Sequence, residues 1–135
     1  KKKLHVDYLI YLPPTTPTRK IEHLKDTLKK VIKKKAFGAW SVTKIDKKYH
    51  PLKILLNDRG LIKLNSKSGK NVINRQSLSE IYIRNGVFYI FSVKHLLKFK
   101  TIYLKNLILS ETKYEVSNID NLADLKKARK IFNNS

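Results

Sequence analysis

The sequence predicts an α/β fold whose sheet is interrupted by an antiparallel hairpin, and three observations carry that reading. Apolar runs of strand length alternate with segments whose apolar residues recur at helical spacing. Two short apolar runs, 53–56 and 61–64, flank Asn57, Asp58, Arg59 and Gly60, a hairpin turn signal. The 135 residues, 41% of them hydrophobic, suffice for one domain around a single core.

Taken in order, residues 5–12 (HVDYLIYL) form a branched and aromatic run stopped by Pro13 and Pro14, which suits a mostly buried strand of a parallel sheet. In 19–35, Ile21, Leu24, Leu28, Val31 and Ile32 recur at helical spacing with lysines opposite, and Thr18 stands where an N-cap belongs. A strand over 40–45 completes a βαβ unit with a right-handed crossover. After the hairpin, 65–76 is polar and reads as a mobile loop. Strands at 81–83 and 87–91 surround Arg84, Asn85 and Gly86, foremost a turn signal. A short helix at 93–99, a strand at 103–109 and a closing helix at 121–133 follow. Ligands of such sheets lie at the carboxyl ends of strands, which selects the loop 13–19.

The net charge of +20 suggests a phosphate-bearing partner. Its texture tempers this: 25 lysines to five arginines are scattered along the whole chain, as a solvated surface under codon bias would show. With no cysteine there is no disulfide framework, thiol nucleophile or cysteine metal site, and no apolar run is long enough for a membrane span. A cytoplasmic protein is expected, with no membrane partner. The absence of methionine, even at position 1, suggests a piece of something longer.

LPPTTPTR at 12–19 resembles the loop LQPTSPLR of the acylneuraminate cytidylyltransferase family. Further similar words follow in the same order: HPLK at 50–53, the turn at 57–60, NRQ at 74–76, RNGVFYI at 84–90, and SNIDNLADL at 117–125, which is similar to a closing metal motif. The resemblance covers essentially the whole chain. It implies a nucleotide-diphospho-sugar transferase-like (Rossmann-like) three-layer sheet and a homodimer formed through a hairpin insertion at 46–85. It also implies transfer of CMP from CTP to a nine-carbon 2-keto sugar acid, a sialic-acid-like substrate, with Mg²⁺ and release of pyrophosphate.

Carried over by position, the resemblance casts Asp120 and Arg19 as catalytic and Asp120 with Asn118 as metal ligands. Thr15, Thr16, Lys53, Arg75, Gln76, Asn85 and Tyr103 would contact substrate, with Lys53 and Arg75 reaching across the dimer to the sugar carboxylate. Three departures stand out. The glycine- and lysine-rich loop that cradles CTP phosphates has no counterpart before Lys1, Asn118 replaces an aspartate, and Pro13 replaces a glutamine. The chain by itself is therefore expected not to turn over CTP.

Plainer roles remain open. Asp120 precedes a helix and suits a cap, the threonines suit turns and caps, and Lys53 suits an exposed strand end. His50 suits the turn before Pro51, while His5, His23 and His95 lack metal-ligand spacing. Two other function classes stay beside the enzyme. One is a basic module for nucleic acid or another polyanion, ranked lower because no stacking motif is evident. The other is a non-catalytic remnant that dimerises through an exposed sheet edge.

Overall fold

In the computed structural model, which describes residues 5–133, the chain is a mixed α/β protein with a mixed four-stranded sheet and a separate two-stranded one. The elements are β1 (Tyr8–Tyr11), α1 (Ile21–Lys33), β2 (Gly38–Ile45), β3 (Leu55–Asp58), β4 (Leu61–Leu64), β5 (Ile81–Ser92), α2 (Val93–Phe99), β6 (Leu107–Glu111) and α3 (Leu122–Asn133). No helix among the described residues is long and apolar enough to cross a membrane. Two compact units result: residues up to Thr43 together with those from Arg84 onward, and Lys44–Ile83.

The large sheet runs β1-β5-β2-β6. β1 pairs antiparallel with β5, Tyr8 opposite Ser92 and Tyr11 opposite Tyr89. β2 pairs parallel with β6, Gly38 opposite Leu107 and Val42 opposite Glu111. Contacts between β2 and β5 run in opposite senses, from Phe37–Ser92 through Ser41–Phe88 to Thr43–Asn85. β1 and β2 thus both run antiparallel to β5 and parallel to each other, so the expected βαβ unit is present with β5 lying between its two strands. The apolar content of β1 suggests a buried strand, but Leu9, Ile10, Tyr11 and Leu12 are exposed because β1 is the sheet edge. Composition reports apolarity, not which strands flank it.

α1 lays Leu24 and Val31 on the sheet, where Ala36, Ala39, Val87, Phe88 and Ile90 complete the core. Ile21 and Ile32, also on the predicted stripe, are exposed. The helix ends in a Schellman motif, with Ala36 N–H donating to Val31 O (3.0 Å), Lys35 N–H to Ile32 O (3.1 Å), and Lys35 left-handed at φ 50. Its N-cap is Lys20 and not Thr18, whose hydroxyl instead accepts from Ser117 N–H (3.0 Å).

β5 is one strand of twelve residues, so Asn85-Gly86 is not a hairpin turn. Gly86, at φ 70, breaks the regular pleat inside the strand. In the smaller unit, β3 and β4 meet at Arg59 and Gly60, both at positive φ as a type I′ turn requires. The stretch after β4 contains 3-10 turns at Lys67–Asn71 and Arg75–Ser77. The strand expected at 103–109 begins only at Leu107.

Candidate functional site

Three segments of the larger unit converge. Ile119 N–H donates to Thr15 O (2.8 Å), and the Thr16 hydroxyl donates to Asn118 Oδ1 (2.6 Å). Beneath them lies the backbone of Gly86, where an added Cβ would be 3.3 Å from Thr16 Oγ1 and 3.7 Å from Asn118 Oδ1. The loop after β1, the kink of β5 and the segment before α3 thus form one rim. Thr16 is almost wholly buried there, whereas Thr15, Asn118 and Asp120 are exposed.

Asp120 does not cap α3. Asn121 Oδ1 accepts from Asp124 N–H (3.0 Å), and Asp124 Oδ2 accepts from Asn121 N–H (3.2 Å) and Asp120 N–H (3.1 Å). This reciprocal box leaves the Asp120 carboxylate without a hydrogen bond or ion pair among the described residues. Asp120 and Asn118 can offer a hard cation one carboxylate and one amide oxygen. No group of three or more His, Cys, Asp or Glu suited to a metal occurs among the described residues. That donor set fits Mg²⁺ only in part. Mg²⁺ is commonly held by one or two carboxylates, with waters and substrate phosphates supplying the rest.

The other predicted residues take varied places. Arg19 donates to the main-chain oxygens of Val87 (3.3 Å) and Pro13 (2.5 Å), fixing the loop onto β5. Asn85 is buried, and its amide is committed internally: Nδ2 donates to Thr43 Oγ1 (3.0 Å) and Thr112 Oγ1 (2.9 Å), and Oδ1 accepts from Val87 N–H (3.3 Å). Tyr103 joins a different group. Its ring meets Trp40 at 5.5 Å, and the Arg84 guanidinium lies over both rings, 5.2 Å from Trp40 and 5.8 Å from Tyr103. Trp40 also meets Tyr89, which stacks on Tyr11, and Trp40 Nε1 is buried without a hydrogen-bond partner.

Lys53, Arg75 and Gln76 belong to the smaller unit. Arg75 pairs with Asp46, whose carboxyl is held below its usual range by the Lys48 backbone N–H and then by the Arg75 guanidinium. Gln76 N–H donates to Asn74 Oδ1 (3.0 Å), and Lys53 closes the turn Pro51–Lys53, capped by His50. His50 shapes that turn, with Nδ1 accepting from Leu52 N–H (3.2 Å).

One network escaped sequence reasoning. His23 Nδ1 lies 3.2 Å from Tyr114 Oη and Nε2 2.8 Å from Ser110 Oγ, which is 2.6 Å from Thr27 Oγ1. Thr27 in turn donates to His23 O (2.8 Å). A neutral ring protonated on Nε2 satisfies every group once, with Tyr114 donating to Nδ1. Burial, and secondarily Lys30, lower the His23 pKa below 6.5, against a smaller opposing effect of Asp26. Burial also raises the Tyr114 phenol above 10. The partners lie 87 and 91 residues from His23, so no local spacing announces them. Compared with known proteins, the chain matches no protein-family model and no curated protein.

Proposed function

We propose that the chain carries the sugar-acid and metal side of a cytidylyltransferase-type reaction, in which the anomeric hydroxyl of a nine-carbon 2-keto sugar acid attacks the α-phosphate of CTP and pyrophosphate leaves. One observation carries the reading: the loop after β1 is bonded to the segment before α3 through Ile119–Thr15 and Thr16–Asn118, beside an Asp120 carboxylate free of any capping duty. Such chemistry needs positioning and neutralisation of growing charge more than a nucleophile. Bound Mg²⁺ would neutralise the phosphates of CTP. Asp120 and Asn118 would hold it, and Thr15 would offer its hydroxyl to substrate. Arg19 and Asn85 hold the rim in shape as positioning residues.

The finer fold reading, a nucleotide-diphospho-sugar transferase-like three-layer sheet, belongs to the same proposal. So does a homodimer through the hairpin, where Leu55, Leu56, Leu61 and Ile62 are all exposed on an arrangement of two strands that is marginal alone. The rim residues named above do not include a phosphate-cradling loop. The test is pyrophosphate release from CTP, Mg²⁺ and a series of 2-keto sugar acids by a version carrying a glycine- and lysine-rich phosphate loop. Release abolished by Asp120→Asn supports the reading, and no release with any acid ends it.

A second reading, single-stranded nucleic-acid binding, rests on the aromatic group of Tyr11, Tyr89, Trp40 and Tyr103, with Arg84 over the last two rings and an orphaned indole N–H. Trp40 is the sole tryptophan, so its fluorescence reports directly. Quenching by oligothymidylate at physiological salt, reduced in Arg84→Ala, favours this reading. An unchanged spectrum removes it.

A further inference from the structure

We infer that the hollow between the loop before α1 and the last turns of α3 is a binding site for a small, multiply charged phosphate compound the size of a nucleoside diphosphate or triphosphate. Its volume is about 500 Å³, within the range of ligand pockets. Four cations line it, Arg19, Lys20, Lys127 and Lys130, against one carboxylate, Glu115, which pairs with Lys127 at 3.2 Å. Arg19, Lys20 and Lys130 have no acidic partner among the described residues. The Arg19 guanidinium is already fixed by the Val87 and Pro13 oxygens, so a phosphate meets a placed fork and not a free chain.

The excess is local, not a reflection of overall lysine content. A hollow of about 350 Å³ along α1 balances Lys20, Lys30 and Lys113 with Glu22, Asp26 and Glu111. Another sets Lys94 against Asp7. Rings also wall the first hollow. Tyr114 lies under Lys20 Nζ at 5.3 Å, and Phe132 is exposed, which gives a base or sugar a flat surface beside the phosphates. Thr16, Asn118 and Asp120 of the rim do not line the hollow, and Arg19 is the residue common to both.

The experiment is calorimetric titration of the full chain with sodium pyrophosphate at about 0.15 M ionic strength, where scattered surface charge is screened. Lys20→Ala/Lys130→Ala is expected to weaken binding about tenfold or more, about 1.4 kcal/mol. Lys98→Ala/Lys105→Ala, with the same loss of charge elsewhere, is expected to change it less than about twofold. Circular dichroism checks that each variant is folded. Absence of pyrophosphate binding by the unaltered chain, or equal losses in the two double variants, overturns the assignment.

Discussion

Gly38→Ala tests the strand spacing that sets the rim in place. A Cβ at Gly38 would lie 2.1 Å from the main-chain oxygen of Ile90, about 0.9 Å inside the 3.0 Å limit that real Cβ atoms respect, and 3.1 Å from Leu107 Cδ2. The obstructing atom is backbone, and Ile90 is fully buried on a strand flanked by β1 and β2, so neither side can yield cheaply. Overpacking of well-packed interiors costs about 1–3 kcal/mol, and a clash with backbone belongs at the upper end, about 3 kcal/mol. For a chain of this length that lowers Tm by about 10 °C. Gly60→Ala is the control. Nothing lies within 4 Å of its Cβ position, but φ is +86, so only left-handed strain remains, about 1 kcal/mol. Urea titration read by circular dichroism gives both values. A Gly38→Ala cost at or below that of Gly60→Ala would refute the close approach of β2 to β5.

Three further outcomes follow from the same geometry. Asn85→Ala strands the Thr43 and Thr112 hydroxyls and the Val87 N–H, and should cost about 2–3 kcal/mol in urea unfolding. Asp124→Ala removes the α3 box and should cost about 1 kcal/mol, whereas Asp120→Ala should stay within about 0.5 kcal/mol of the parent; a larger Asp120 effect would return that residue to a capping role. His23 binds a proton less readily folded than unfolded, so its neutral network stabilises the protein above pH about 6.5 and that stability is lost as pH falls below it. Tm should fall between pH 7.5 and pH 5, and His23→Gln should flatten that part of the profile.

Local signals were legible where one segment decides its own conformation. Asn57 to Gly60 announce the hairpin, the stripe of Leu24, Leu28 and Val31 announces α1, and 93–99 matches α2. Where placement depends on distant chain, the pattern misled. The run 8–11 is apolar enough for an interior strand yet sits at the edge, and Asn85-Gly86 carries turn chemistry that the sheet absorbs as a kink within β5. The loop 13–19 is selected by its place after a strand and Asp120 by the resemblance, but neither signal shows that Thr18 bonds Ser117 or that Asn121 and Asp124 relieve Asp120 of capping. The aromatic group around Trp40 gathers rings from β1, β2, β5 and the loop at Tyr103, so no single stretch of sequence resembles a stacking motif.

The rim is tested most directly by paramagnetic broadening of backbone amide signals as Mn²⁺ is added in the presence of CTP. The account predicts that Thr16, Gly86, Asn118, Ile119 and Asp120 broaden first and that Asp120→Asn abolishes the effect. Broadening centred on other carboxylates such as Asp26 or Asp58, with those five signals intact, would contradict it.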